Sequence, residues 1–254
     1  MKSILIPLPT YGFDPTEAVI PWQILSDNGI KITFITPDGK LAEADKIMLT
    51  GKDLGVFKSL LMARNDTADA HSKMRKDEFF CNPLSYNDVN EKDFDGILLP
   101  GGHDKGVTEY LESKTLQNLI VDFFKANKTV GAICHGVVLI ARSTDSSTKK
   151  SVIYNYKTTS LLKTQELLGY QLTRLWLKDY YLTYPEITVE DEVKSVLSDD
   201  SNFLKGTLPV LRDGFNNLKR GFIVKDRNYL SARWPGDVYN FSLEFVDMIK
   251  KQKD

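Results

Sequence analysis

The stretch Thr129-Val130-Gly131-Ala132-Ile133-Cys134-His135-Gly136-Val137-Val138-Leu139-Ile140 decides the fold. A short apolar run stops at a cysteine, a histidine and a glycine, and a second apolar run follows at once. The first run predicts a buried parallel strand and the second the opening of a buried helix, with Cys134 on the sharp turn between them. A nucleophile on such a turn stands above the sheet, at a helix N-terminus that favours negative charge and lowers a thiol pKa. The same run fits a core cysteine in a doubly wound sheet, because cysteine is among the most buried residue types. The neighbouring segments have to separate the two.

Upstream, Ser3 to Leu8 is a compact apolar strand. Asp14-Pro15-Thr16-Glu17 then marks a helix start, with Asp14 as N-cap, Pro15 at the first helical position and Glu17 as a capping-box partner. The helix runs to Asn28-Gly29, a stop pair, and Lys31 to Thr36 is the next strand. This βαβ unit implies neighbouring parallel strands. After a break, Phe94 to Leu99 is a strand that enters the turn Pro100-Gly101-Gly102-His103-Asp104. A helix from about Ser113 to Ala126 follows, with Leu116, Leu119, Ile120, Phe123 and Phe124 at helical spacing. Downstream of the cysteine helix, Ser151 to Tyr156 is a further candidate strand. Gly221–Val224 and Tyr229–Ala232 flank a hairpin turn at 225–228, and a last helix runs from Val238 to about Lys250, capped by Asp237.

Two stretches resist this pattern. Residues 41–90 are rich in Lys, Asp, Asn and Met, and residues 161–205 are heavy in aromatics, including Tyr170, Trp176, Tyr180, Tyr181 and Tyr184. Both are expected to be insertions into one domain spanning 1–254, the first with some helix and packed over the strand ends, the second with a helix start near Thr188. No internal repeat or low-complexity segment is present.

The chain has 254 residues, enough for one large domain, and a formal net charge of -1. There is no basic excess to suggest nucleic acid and no acidic tail. Pro7 and Pro9 end the first apolar run too early for a signal peptide, and no window approaches the roughly 18 apolar residues of a membrane span. Cys81 and Cys134 lie in very different contexts, so a disulfide is not expected. A reducing cytoplasm is the expected setting, with the Cys134 thiol available.

Three turns sit at the carboxyl ends of predicted strands, where ligands bind in open α/β sheets: Tyr11–Glu17, Gly101-Gly102-His103 and Cys134-His135. Cys134 is the candidate nucleophile. The backbone N–H groups of Gly102 and His135 are candidates for an oxyanion hole, although Gly101-Gly102 also fits a plain tight turn. His135, next to the cysteine, is the nearest candidate general base, and it also fits an idle histidine at a helix start. Glu17 fits the capping box. Pro21, however, lacks the N–H that the Glu17 carbonyl would use, so the helix should bend or start late, and the carboxyl could instead be held protonated against a thiolate. His103 and Gly101 are candidate pocket residues. His71 lies in the polar insertion and is expected to be solvated, and Cys81 reads as packing. Three histidines at unrelated positions, without a carboxylate cluster at ligand spacing, predict no zinc site.

These residues resemble the ThiJ/PfpI superfamily, which has a class I glutamine amidotransferase-like fold. The resemblance is carried by Glu17-Ala18-Val19-Ile20-Pro21 leading to Gly29-Ile30-Lys31-Ile32-Thr33, by Leu99-Pro100-Gly101-Gly102-His103, by Ala132-Ile133-Cys134-His135-Gly136, and by Tyr229 to Asp237. It implies a flavodoxin-like three-layer α/β sandwich, mostly parallel, with helices on both faces and a nucleophile elbow, and commonly a homodimer. It also implies that Glu17 sits beside Cys134, which is both nucleophile and oxidation-sensitive thiol. His135 and the P-G-G-H turn look most like the glyoxalase III/chaperone and PfpI-type branches. The sequence departs from the full triad of the glyoxalase III branch, since residues 151–159 hold no Asp or Glu.

The expected function is a cysteine-dependent, metal-free and cofactor-free enzyme acting on small reactive carbonyl compounds, in the manner of glyoxalase III or a deglycase. The alternatives are a PfpI-type cysteine peptidase or amidase, and a non-enzymatic redox sensor or holdase using Cys134 oxidation or the aromatic stretch at 170–184. A true glutamine amidotransferase needs a histidine well downstream of the cysteine, and none follows His135. The expected partner is a small-molecule substrate, without nucleic acid or membrane.

Overall fold

The computed structural model describes residues 1–252, so the expected domain limit at residue 254 lies outside the described residues. Its strands are β1 (Ser3–Pro7), β2 (Tyr11–Phe13), β3 (Lys31–Thr36), β4 (Glu43–Ala44), β5 (Leu84–Ser85), β6 (Gly96–Leu99), β7 (Thr129–Ile133), β8 (Ile223–Asp226) and β9 (Tyr229–Ala232). Seven of them form one sheet in the order β5-β3-β1-β6-β7-β9-β8, and β2 pairs with β4 in a small parallel ribbon. Every pairing in the large sheet is parallel except β8 with β9. Arg227 and Asn228 make the two-residue β8–β9 turn, and Arg227 takes a positive φ of 55°, which such a hairpin demands.

The central strands are apolar and buried on both faces, as parallel sheets covered by helices require. The Pro15–Asp27, Asn65–Met74 and Val238–Lys251 helices pack together on one face, and Lys114–Lys125 and Gly136–Arg142 lie together on the other. Each fully buried Val, Leu, Ile or Phe in this core stabilises it by about 1.5–3 kcal/mol. The fold is therefore α/β, with a mostly parallel sheet between two helical layers.

Three expectations need correction. Ser151–Tyr156 is not a strand: it forms turns, with one isolated bridge from Thr144 to Ser151. The Pro15–Asp27 helix does not start late, because Asp14 Oδ1 accepts from the Thr16 and Glu17 N–H groups and Pro21 is accommodated within it. Asp237 does not cap the last helix with its side chain. Its carboxylate is taken by the fully buried Arg233, with Nε–Oδ2 at 2.8 Å and Nη2–Oδ1 at 2.9 Å. The cap comes from Asp213 in the loop before β8, which accepts from the Tyr239 N–H at 3.3 Å and the Asn240 N–H at 2.8 Å.

The two irregular stretches are also more ordered than their composition suggests. Residues 41–90 supply β4 and the edge strand β5, with helices at Lys46–Thr50, Lys58–Leu61, Asn65–Met74 and Glu78–Cys81. Residues 161–205 hold a long helix, Lys163–Leu177, whose buried positions are Glu166, Gly169 and Thr173. A second helix, Val189–Ser195, starts at Thr188 as expected, with the Thr188 hydroxyl accepting from the Asp191 N–H.

Candidate active site

Cys134 directly follows β7 with a φ of 57°, a left-handed conformation that a non-glycine residue adopts only where its surroundings hold it. Its N–H donates to the Ala232 carbonyl of β9 at 3.1 Å, and His135 opens the Gly136–Arg142 helix. The strand, turn and helix of a nucleophile elbow are therefore present around Cys134. The thiol is only 1% exposed.

Glu17 reaches this thiol from the first turn of the Pro15–Asp27 helix. Its carboxyl does not close a capping box on Asp14. Oε2 instead accepts from the Gly101 N–H at 2.9 Å, while the Asp14 N–H donates to the Gly101 carbonyl at 2.8 Å. Gly101 is thus clamped at both backbone groups. A Cβ there would lie 2.6 Å from the His135 backbone N and 2.9 Å from Glu17 Oε2, so only glycine fits between them. Gly102 follows with a φ of 157°, and a Cβ on it would lie 2.5 Å from the Gly12 carbonyl oxygen.

The other Glu17 oxygen, Oε1, is buried without a hydrogen bond, and the carboxyl stands close enough to Cys134 for each group to shift the other. Burial, and then the charge of Asp14, hold the Glu17 carboxyl well above the usual carboxylate range. Burial also pushes the Cys134 thiol up, and a charged Glu17 adds to that, while the His135 backbone N–H acts the other way. Desolvation therefore outweighs the lowering expected from the helix N-terminus. Two acids in one dry pocket cannot both ionise readily, and a protonated Glu17 removes the charge that opposes a thiolate.

His135 is fully buried, with Nδ1 3.5 Å from Cys134 Sγ and Nε2 3.0 Å from the Thr183 hydroxyl. The Thr183 hydroxyl also donates to the His103 carbonyl at 3.0 Å. A carbonyl can only accept, so the single hydroxyl proton is committed there and Thr183 must accept from His135. That assigns the proton of neutral His135 to Nε2 and leaves the Nδ1 lone pair facing sulfur. Burial and the neighbouring His103 hold the imidazole well below its ordinary pKa, so it is neutral.

His103 lies edge-on to His135, with ring centroids 5.0 Å apart, and edge-on to Tyr181 at 4.8 Å. Burial pulls it down to about 4. Lys105, just beyond the Gly101-Gly102 turn, donates to the Leu182 and Thr183 carbonyls and pairs with Asp179 at 3.3 Å. This ties the segment carrying Thr183 to the β6 turn.

The structure thus gathers Cys134, His135, Glu17, Gly101 and His103 at one place, with Gly102 directly behind Gly101. His71 lies apart on the Asn65–Met74 helix, where it is buried rather than solvated, and Cys81 is exposed at the end of its own short helix rather than packed. Sequence reasoning missed Thr183, which no spacing relative to His135 announces, and Tyr181, which stood in the aromatic stretch without an assigned place. Among the described residues, no group of three or more His, Cys, Asp or Glu could hold a metal ion, and no helix is long and apolar enough to cross a membrane.

A ThiJ/PfpI family-like sequence model matches residues 8–191. A glutathione-independent glyoxalase of Schizosaccharomyces pombe is 25% identical over 160 residues, which are 61% of this chain and 62% of that protein. A Schizosaccharomyces pombe protein of no stated activity is 28% identical over 157 residues, 59% of this chain and 57% of its own length. The chain therefore spans about three-fifths of the length of the curated relatives it matches. Among solved structures, glyoxalase III of Candida albicans superposes with a TM-score of 0.69 at 17% identity, covering 97% of each chain. DJ-1beta of Drosophila melanogaster superposes with a TM-score of 0.55 at 17% identity, covering 98% of this chain and 94% of that one. The family match spans the Glu17 turn, the Gly101-Gly102 turn and the Cys134 elbow together, and on that match the chain belongs to the ThiJ/PfpI family.

Proposed function

We propose that this protein is a cysteine-dependent enzyme of reactive carbonyl compounds, converting a 2-oxoaldehyde and water to a 2-hydroxy acid without metal or added cofactor. The observation that carries the reading is the lone pair of His135 Nδ1 facing the Cys134 sulfur, held so by Thr183. The distant glyoxalase relatives agree with it.

Cys134 sulfur adds to the aldehyde carbon while its proton passes to His135 Nδ1. The carbonyl oxygen takes up the negative charge beside the backbone N–H groups of His135 and Gly102, and then a proton. The Gly101 N–H is not available for this role, because Glu17 occupies it. Glu17 and His135 then move a proton from the former aldehyde carbon to the neighbouring carbon. The first carbon becomes a thioester and the second an alcohol, with no net gain or loss of electrons. Water releases the acid and restores the thiol.

The test is methylglyoxal with purified protein and no cofactor. Lactate should form, and Cys134→Ser should abolish it. A panel of small peptides and amides runs beside it. Cys134-dependent cleavage there without lactate formation would favour the peptidase reading. An inert protein whose Cys134 is selectively oxidised by peroxide would favour the sensor.

A further inference from the structure

The helix that His135 opens ends at Arg142, where the helix dipole favours a cation. Arg142 has no part in the steps above, yet all three of its guanidinium nitrogens are in use. Nε and Nη2 donate to the two oxygens of Glu192 at 2.6 and 3.0 Å, and Nη1 donates to the Tyr184 hydroxyl at 2.8 Å. The guanidinium carbon also stands 4.4 Å from the centre of the Tyr184 ring. The side chains of Arg142 and Glu192 are only 22% and 15% exposed. A shielded fork of this kind holds its geometry, as an exposed ion pair does not.

Tyr184 directly follows Thr183, and its hydroxyl has one proton. That proton goes to Glu112 Oε1 at 2.8 Å, so the oxygen accepts from Arg142. Glu112 closes the Thr108–Leu111 helix, a short way beyond the Gly101-Gly102 turn. Arg142 and Tyr184 thus join the helix that carries His135, the segment that carries Thr183 and the chain leaving β6. Thr183 itself lies in irregular chain between the Lys163–Leu177 and Val189–Ser195 helices, with no ladder of backbone hydrogen bonds to fix it. Lys105 holds the Leu182 and Thr183 carbonyls before it, and Arg142 holds Tyr184 after it. Lys105 is 45% exposed and binds as a flexible point charge, so Arg142 is the firmer of the two.

We infer that Arg142 is a positioning residue for His135, acting through Tyr184 and Thr183. It keeps the Thr183 hydroxyl where it accepts from His135 Nε2, and so keeps the Nδ1 lone pair toward Cys134. This rests on the reading of Cys134 and His135 as the reacting pair, and it names the groups that set that pair in place. A planar guanidinium suits the task, since one fork meets the carboxylate while the remaining nitrogen reaches the tyrosine.

Two variants test it. Tyr184→Phe keeps the ring and removes the bridging hydroxyl. Arg142→Gln combined with Glu192→Gln removes the fork without leaving one charge unpaired. Ring nitrogen chemical shifts of His135, measured by NMR, report its tautomer. The wild type should show the Nε2–H form, and each variant a mixture with the Nδ1–H form. In steady-state kinetics with methylglyoxal, the Arg142/Glu192 variant should lose about tenfold in kcat with KM little changed. Added to Thr183→Val, the same two changes should lower kcat by less than about twofold more, because groups that act through one residue are not additive. Wild-type ring shifts in both variants, or losses that multiply with that of Thr183→Val, overturn the proposal. Tyr184→Phe alone decides it where the paired variant does not fold. If the wild type consumes no dicarbonyl, the carbonyl reading fails separately, and the His135 tautomer still decides the role of Arg142.

Discussion

The Thr183 hydroxyl bridges the side chain of His135 and the backbone of His103, 3.0 Å from each, and so sets which nitrogen of His135 faces Cys134. In a nucleophile–histidine pair the third group normally orients the ring, and a carboxylate does so while also favouring the charged imidazolium. A neutral hydroxyl orients without that electrostatic help. Combined with complete burial, it keeps the resting pair uncharged, so proton transfer belongs to the encounter with substrate.

Thr183→Val keeps the shape and removes the hydrogen bond. The His135 Nε2–H would be left unpaired in a dry site, at a cost of about 1–3 kcal/mol, and the ring would lose its fixed tautomer. The expected result is a fall in kcat of about tenfold or more with KM little changed, and recovery in Thr183→Ser. Steady-state kinetics on the three proteins checks this, and full activity in the valine variant would remove Thr183 from the site.

Gly101→Ala places a methyl group 2.6 Å from the His135 backbone N and 3.1 Å from Cys134 Cβ. Neither neighbour can retreat, since one is main chain and the other is the elbow itself. The β6 turn should be forced off Glu17, with activity lost and stability lowered by about 2–4 kcal/mol. A denaturant titration and an activity assay measure the two losses together. Wild-type stability in the variant would mean that the turn and the elbow are not packed as described.

How much of this was open to a reader of the sequence depends on range. The β7 elbow, the Pro15–Asp27 helix and β3 are local patterns of apolar spacing and caps, and they lie where those patterns place them. The Lys163–Leu177 helix was hidden because it buries Glu166, Gly169 and Thr173 while Leu168 and Leu175 face outward, the reverse of the usual periodicity. Asp237 looked like a cap from its position alone, but a buried arginine claims its carboxylate and a distant Asp213 takes over. Glu17 meets Cys134 only because β1 and β7 flank β6, a matter of strand order that one segment cannot disclose. The ThiJ/PfpI resemblance supplied that pairing where spacing could not.

Glu166 makes stability depend on pH. Burial raises its carboxyl to about 7, while its carboxylate oxygen accepts from the Val189 N–H at 2.9 Å. The folded chain therefore holds a proton that the unfolded chain releases at the ordinary glutamate value. The stabilisation is complete below that ordinary value and is lost as pH rises through about 7. Unfolding free energy should fall by about 3 kcal/mol from this group over that window, and Glu166→Gln should lessen the fall. Urea titrations across the window, on both proteins, give the comparison.

The two cysteines should separate cleanly under alkylation. Cys81 is exposed, whereas Cys134 is buried with its pKa pushed up. Iodoacetamide at neutral pH should modify Cys81 first, by about tenfold or more in rate, as read from peptide masses. Tyr181→Ala, which removes the ring covering His103, should narrow the gap. Faster labelling of Cys134 in the wild type would mean that the thiol is already ionised and open at rest.

The hydrogen bond from Cys134 to Ala232 has a consequence for how the protein is made. The strand β7 leaves the ribosome early, but β9, which completes its pairing, follows roughly a hundred residues later. Until then the Cys134 N–H lacks its partner, and β7, paired with β6 on one side, offers its other edge to any passing strand. A nascent chain should thus carry its cysteine for many seconds as an ordinary flexible thiol. The Cys134 turn reaches its final geometry only when the β8–β9 hairpin closes, so the thiol is set in place by the last-made part of the sheet.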